Sequence, residues 1–342
     1  MRLKRFAAAA IAAALMTSLA ACASDSPNNT EETSGAASDG EFPITIEHAF
    51  GETVIPEKPE NVATIAWSNQ DVPLALGVSP VGFPAASWGV EDGSGMLEWT
   101  KAAVDELGAE PVLFDETDGL DFDAIANTQP DVILAAYSGI TEEEYNTLSQ
   151  IAPTVAYPEI AWTTTWRDVI KVNSTALGMA QEGEALAADL EDLLAEKRAE
   201  HPDIEGLTAG FFYGGDATDL STVGFYNTSD PRSAYLEDLG LAVPESIAAT
   251  QDQSQFYTSI SAENVDQLND VDIIVFYGDQ AALDAWKADP LLSQIRAVQN
   301  DSVVLLGTDG AFAASASPSP LSIPAYLDDY LTLISEAAAK VQ

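Results

Sequence analysis

Cysteine is almost absent from this chain of 342 residues: Cys22 stands alone, so no disulfide closes within it and no catalytic thiol pair exists. Histidine is nearly as scarce. His48 and His201 are the whole supply, which removes the multi-histidine sets that zinc and manganese sites require. Basic residues are few as well, 13 Lys and Arg against 55 Asp and Glu, for a net charge of −42. Such a chain does not hold nucleic acid or an anionic membrane by charge. Several signatures are missing too: G-x-S-x-G, S-x-x-K, H-E-x-x-H, the P-loop and G-x-G-x-x-G. The matching hydrolase and nucleotide chemistries therefore lack their parts. Carboxylate pairs for glycoside cleavage stay available in a chain this acidic, and an extracytoplasmic glycosidase remains a distant alternative.

What is present begins at the N-terminus. Met1 to Arg5 is short and basic, and Phe6 to Leu19 is apolar but too short for a comfortable membrane span. The run ends in Leu19-Ala20-Ala21-Cys22, which resembles a bacterial lipobox. The resemblance implies a signal peptide over 1–21 and lipidation of Cys22 as the first mature residue. Residues 22–41 are polar and nearly free of apolar bulk, so they read as a flexible tether. The expected location is the outer face of the cytoplasmic membrane, held by the lipid alone.

The remaining length suits two domains, and 46% hydrophobic residues suit a substantial core. A helix-compatible segment, Trp162 to Pro202, sits near the middle. Leu186, Leu190, Leu193 and Leu194 form one stripe at helical spacing, and Pro202 stops the helix. Gly178 divides the segment into a short helix and a long one; from Met179 to Glu200 the long one would run ~33 Å at ~1.5 Å per residue. Short apolar strand candidates alternate with helical patterns on both sides: Val62–Ala66, Pro80–Phe83 and Val132–Leu134 before it, Leu207–Tyr213, Ser221–Phe225, Phe256–Ile260, Asp272–Tyr277 and Ser302–Leu306 after it. Strand–helix units argue α/β architecture with mainly parallel sheets. The expected organisation is an N-terminal lobe over 42–165, a linking helical segment over 166–202 and a C-terminal lobe over 203–342.

Specific stretches carry a resemblance to a known family. His48-x-x-Gly51 is followed by Ile55-Pro56-x-x-Pro59, a strand, and a helix ending in Leu76-Gly77; later come a helix leading to Pro130-Asp131 and a buried strand, Ile151-Ala-Pro-Thr-Val155, and Ser261-Ala-Glu263. In this order they resemble the ferric-siderophore-binding lipoproteins of ABC importers. The resemblance covers about Phe42 to Val341. It implies the class III solute-binding-protein fold: two α/β lobes joined by a single long helix, with limited closure. It also implies that Glu263, and Asp123 where the family often has a glutamate, dock onto the permease, one from each lobe. His48 reads as a hairpin residue. Asp121 and Asp123 lack the further ligands and the glycine of a calcium loop.

In open α/β sheets ligands sit beyond the carboxyl ends of strands. Aromatic residues recur there, and the candidate ligand-binding set is Trp67, Trp88, Tyr137, Trp162, Tyr213 and Phe312; Phe83 and Tyr277 lean towards the core. An aromatic cleft suits a bulky, partly apolar organic ligand. Ten basic residues follow Cys22, and Arg232, with Arg167 as a second candidate, lies near the cleft loops. A trianionic ferric catecholate needs several cations, so the balance favours a neutral or cationic complex such as a ferric hydroxamate, with Arg232 bonding its oxygens. The expected protein is a monomeric receptor, not an enzyme. It has no resident cofactor or metal, since iron is held by the siderophore, and it works with an ABC permease and its ATPase subunits. A corrinoid or haem receptor of the same fold is the nearer alternative.

Overall fold

The computed structural model describes residues 40–214, 219–250 and 255–342. The expected lipidation site Cys22, the expected signal peptide and nearly all of the expected tether lie outside these residues. Among the described residues, no helix is long and apolar enough to cross a membrane.

The first lobe opens with the hairpin β1 (Ile44–His48) and β2 (Gly51–Ile55), paired so that His48 faces Gly51. It continues through β3 (Val62–Thr64), α1 (Asp71–Ala75), β4 (Gly82–Pro84), α2 (Glu98–Leu107), β5 (Val112–Phe114), α3 (Phe122–Asn127), β6 (Val132–Leu134), α4 (Glu142–Leu148) and β7 (Thr154–Val155). Its five-stranded sheet has the order β5-β4-β3-β6-β7 and every pairing is parallel. Continuous burial of Val62–Thr64 and Val132–Leu134 follows from helices covering both faces of a parallel sheet. The sequence from Gly95 to Leu107 reads as a helix capped by Gly108; α2 starts three residues later, at Glu98, and ends at Gly108, whose φ of 62° is the left-handed cap that glycine adopts without cost.

The linking segment is α5 (Trp166–Ala176) and α6 (Ala180–Ala199), divided at Gly178 with φ 67°. Helix α6 is therefore ~30 Å long at ~1.5 Å per residue. Helix α5 packs on the first lobe through α1, β1, β6 and β7, while α6 packs on α5 and on the C-terminal helix. Arg167 ties the three elements at this junction: it pairs with Glu191 of α6 and with Asp238 beyond it, and lies over the Trp166 ring at 4.2 Å. Arg167 thus serves the frame and lies away from the cleft.

The second lobe comprises β8 (Ala209–Tyr213), β9 (Thr222–Tyr226), α7 (Pro231–Asp238), α8 (Glu245–Ala248), β10 (Tyr257–Ser261), a 3₁₀ segment (Ala262–Leu268), β11 (Ile273–Tyr277), α9 (Gln280–Ala288), α10 (Arg296–Asn300), β12 (Val303–Leu305), α11 (Ala311–Ser315) and α12 (Ser322–Ala338). Its sheet order is β10-β9-β8-β11-β12. Here the parallel pattern holds for β8, β11 and β12, while β9 pairs antiparallel with both β8 and β10. The stretch between β8 and β9 is too short for the dozen or more residues of a parallel crossover, so β9 turns back on β8.

One apolar cluster runs through the linking helices into the second lobe. It joins Val72 and Tyr137 of the first lobe to Trp166, Ile170, Leu190 and Leu194, and these to Phe211, Leu236, Val275 and Leu331. Of the leucine stripe, Leu190 and Leu194 are buried and Leu186 and Leu193 flank them. Shared burial resists independent movement of the lobes, because separating them would return this surface to water. Leu194→Ala should lower the unfolding free energy in urea by about 2–5 kcal/mol, the cost of a large-to-small change in a closed core; a loss under 1 kcal/mol would mean that α6 is not part of that core.

Candidate functional site

Between the lobes lies a cavity of ≈ 490 Å³ lined by Trp67, Trp88, Tyr137, Trp162, Tyr213, Tyr226, Arg232, Phe256 and Tyr277, with Gly214, Gly278, Ala282, Thr308 and Ser317 between them. Six of the seven candidate ligand-binding residues are brought together in it. The first-lobe residues come from loops after β3, β4, β6 and β7, and Tyr213, Tyr277 and Thr308 from the ends of β8, β11 and β12, where this class of sheet opens.

Local structure explains how each ring is held. Asn69 is fully buried; its side chain donates to the carbonyls of Ile65 (2.8 Å) and Tyr137 (2.9 Å) and accepts from the Tyr137 amide (3.1 Å). The turn carrying Trp67 is thereby pinned to the strand end carrying Tyr137. Trp162 has φ 64°, and its amide donates to the Ser138 carbonyl at 3.0 Å. Its indole occupies the space of a missing side chain: a Cβ on Gly139 would lie 2.0 Å from Trp162 Nε1. Tyr137 and Trp162 meet edge to face at 5.3 Å. Trp67, Trp88 and Tyr277 continue the wall at 6.0 and 5.8 Å. Trp88 also ties the lobes, donating from Nε1 to the Thr308 carbonyl at 3.1 Å, while the next amide, Gly89, donates to Asp309 at 2.7 Å.

Arg232 is the one charged side chain among the described lining residues. Asp230, fully buried, caps α7 through the Arg232 amide. It also accepts from Arg232 Nε at 2.7 Å and Nη2 at 2.6 Å. The guanidinium lies over the Tyr226 ring at 3.8 Å from its centroid. Two of its five N–H bonds serve Asp230 in this way and the guanidinium also bonds the Tyr277 hydroxyl, which leaves donor capacity for further acceptors. The pair brings no net charge to the cavity. Desolvation pushes the Tyr137 phenol up to about 12 and raises Tyr226 and Tyr277, so all three are neutral hydrogen-bonding groups at physiological pH.

Four placements differ from the sequence reading. Phe312 does not line this cavity: Ala311–Ser315 is a helix rather than a loop, and it turns the ring onto Tyr326 and Tyr330 at 5.8 and 5.9 Å. Tyr277, read as core, lines the wall and donates from its hydroxyl to the Ala313 carbonyl. Tyr226 and Phe256 were not singled out. Tyr226 lies one residue beyond the strand expected to end at Phe225, and Phe256 one residue before β10, so only aromatic type at a strand margin marked them.

The other sequence candidates lie elsewhere. His48 bonds Thr53 at 2.9 Å within the hairpin, and burial lowers its pKa. His201 meets Ser335 Oγ at 2.7 Å. Asp121 caps α3 through the Ala124 amide. Asp123 and Glu263 are exposed, each in the first turn of its own helical segment on a different lobe. Among the described residues no group of three or more His, Cys, Asp or Glu could hold a metal ion.

Two α/β lobes with an aromatic cavity at their strand ends fit a protein that holds a bulky organic solute in its cleft. Comparison with known proteins supplies the family. The chain belongs to the periplasmic binding protein family, whose model matches residues 62–309. It is a binding protein rather than an enzyme, which sets the glycosidase alternative aside. It is 24% identical over 318 residues to the probable siderophore-binding lipoprotein YfiY of Bacillus subtilis, covering 87% of this chain and 90% of that one. It is 27% identical over 309 residues to the ferric-anguibactin-binding protein FatB of Vibrio anguillarum, covering 85% and 87%. Among solved structures it is similar to Streptococcus pneumoniae PiaA in complex with ferrichrome, with 45% identity and a TM-score of 0.85 over 87% of this chain and 100% of that one.

Beneath the Trp67–Asn69 turn lies a second buried polar group. Asp71 is fully buried and accepts from Trp99 Nε1 (3.0 Å), Thr100 Oγ1 (2.9 Å) and Ser319 Oγ (2.5 Å). Ser319 belongs to the loop that brings Ser317 to the cavity. Desolvation outweighs these donors and raises the Asp71 carboxyl from 3.8 to about 6. The folded state then binds this proton more tightly than the unfolded chain, so the associated stability is present near pH 4 and lost as pH rises through 6. Denaturant unfolding of wild type and Asp71→Asn should show a stability difference that moves against the wild type between pH 4 and 6 and is level above; a difference independent of pH would refute the raised carboxyl.

Proposed function

We propose that this protein is an extracytoplasmic, lipid-anchored receptor that captures a neutral ferric hydroxamate siderophore between its lobes and passes it to an ABC permease. The observation that carries the reading is the cavity wall: predominantly aromatic, with a single cation already neutralised by Asp230. Three hydroxamates, each a monoanion, cancel the charge of Fe(III), whereas three catecholates leave the complex trianionic. A wall without net charge accepts the first without desolvating an unpaired ion and has too few cations for the second. The free N–H groups of Arg232 suit metal-bound hydroxamate oxygens, and the rings suit the apolar periphery. Relatives named for siderophore binding, and a similar structure named for its complex with ferrichrome, support the same reading. Asp123 and Glu263 are the groups proposed to meet basic residues of the permease.

Tryptophan fluorescence tests the ligand. A ferric hydroxamate seated between Trp67, Trp88 and Trp162 should quench it saturably, and the iron-free form should bind more weakly. Trp88→Ala and Trp162→Ala should each weaken binding tenfold or more, about 1.4 kcal/mol or above. Arg232 should be probed together with Asp230, as Arg232→Gln with Asp230→Asn, because removing the guanidinium alone strands a buried carboxylate. Quenching by ferric catecholates alone would overturn the charge argument, and quenching by haem or a corrinoid alone would move the protein to that branch of the fold. Docking is tested separately: Asp123→Ala with Glu263→Ala should abolish siderophore uptake while leaving the Kd unchanged, and unimpaired uptake would remove both residues from the interface.

A further inference from the structure

A second pocket of ≈ 210 Å³ opens in the first lobe directly beside the main cavity. Trp67 and Trp162 are walls of both. Its other lining residues include Ser68, Gln70, Thr100 and Glu116. With a water's share of liquid at ~30 Å³, the space holds a short aliphatic chain with a polar head.

The pocket carries buried polar atoms that the protein leaves without partners. Glu116 Oε1, Ser68 Oγ and Gln70 Oε1 have none, although Ser68 and Gln70 are each only 7% exposed. Glu116 uses its other oxygen to accept the Ala66 amide at 3.2 Å. Buried polar groups are nearly always bonded, so a cluster of orphans points to a missing partner. Their chemistry defines it. Gln70 Oε1 is an obligate acceptor, Glu116 Oε1 accepts whenever the carboxyl is ionised and Ser68 Oγ accepts freely, whereas the one obligate orphan donor on the wall is Trp67 Nε1. A partner for three acceptors is a group with three N–H bonds, the primary ammonium.

Charge and backbone point the same way. No Lys or Arg lines the pocket, and the charged group acting on Glu116 is another acid, Glu144 of α4. Burial and that like charge push the Glu116 carboxyl up to about 7, a cost that a cation in the pocket would reverse. Three lining residues other than glycine hold left-handed backbone: Ala66 and Ser68 at φ 59° and Trp162 at φ 64°. Such strain persists where the surrounding structure over-determines it, commonly at ligand clamps.

We propose that this side pocket is a subsite for a protonated primary amine carried on an arm of the siderophore, with Glu116 as its counter-ion and Ser68 and Gln70 as further acceptors. The proposal rests on the hydroxamate reading above. It narrows the ligand class from neutral ferric hydroxamates to those whose core is neutral and whose pendant chain is cationic.

The test uses the purified protein and three ferric complexes: ferrioxamine B, which bears a pendant primary amine, its N-acetylated derivative, and ferrichrome, which has no amine. Wild type should bind ferrioxamine B at least tenfold more tightly than the acetylated form. That ratio should grow between pH 6 and 8 as Glu116 ionises while the amine stays charged. Glu116→Gln should bring the ratio to within about twofold, with ferrichrome affinity unchanged as the sign that the cavity is intact. A wild-type ratio near one needs no variant to interpret and would overturn the subsite while leaving the hydroxamate receptor standing. Equal weakening of all three complexes by Glu116→Gln would also overturn it, making Glu116 a general support of the wall. Failure of all three to bind the wild type would overturn the hydroxamate reading itself, and the subsite with it.

Discussion

The apolar contact between the linking helices and both lobes is the constraint on which the rest of the structure depends. Leu190 and Leu194 of α6 and Trp166 and Ile170 of α5 belong to one cluster with Tyr137 on one side and Phe211 and Val275 on the other. Because that cluster is continuous, the carboxyl ends of the two sheets are held facing each other. Trp67, Trp88, Trp162, Tyr226 and Tyr277 pack against its edge. The cavity wall is thus the margin of the core, where rings that would otherwise be fully covered are left with one face open. This explains why aromatic residues at strand ends were ambiguous between core and site: in this molecule they serve both.

The second governing feature is the separation of surface charge from site charge. The chain carries −42, yet its acids decorate helix faces and loops, where water and salt screen them beyond ~8 Å. Inside the cavity the deciding charges are Asp230 and Arg232, bonded to each other at 2.6 Å. Burying such a pair is costly unless its hydrogen bonds are satisfied, and here they are supplied by the fork itself, the α7 N-terminus and the Tyr226 ring. A guanidinium held in this way keeps free donors while its net charge is cancelled. That is a different object from the isolated cation that a sequence shows.

Much of the frame was legible because local chemistry dictates it. Gly108 closes α2, Gly178 breaks the linking segment, and the apolar runs of β3, β6 and β11 are buried strands. Legibility failed where the outcome depended on partners far away in the chain. The reversal of β9 came from its short connection to β8, and β10 then paired antiparallel on the outer edge of β9. Phe312 left the cleft because a helical turn gave its ring Tyr326 and Tyr330 to pack on. Ser68 was marked only by its place after a strand and Glu116 not at all, since an unpartnered acceptor becomes visible only when everything around it has been placed.

By itself the sequence determined the alternation of strands and helices, the position of the linking helices, the aromatic character of the strand ends and the poverty of metal ligands, for these follow from periodicity, capping and composition over short distances. Only the tertiary structure decided which rings face one cavity, that Arg232 is neutralised by Asp230, and that Glu116, Ser68 and Gln70 converge unpaired beside Trp67 and Trp162. Apart from the Asp230–Arg232 contact, which spans two positions and needed the fold only to bury it, those outcomes are set by packing between residues tens to hundreds of positions apart. There, burial determines what an ionisable group is worth, and no local pattern encodes it.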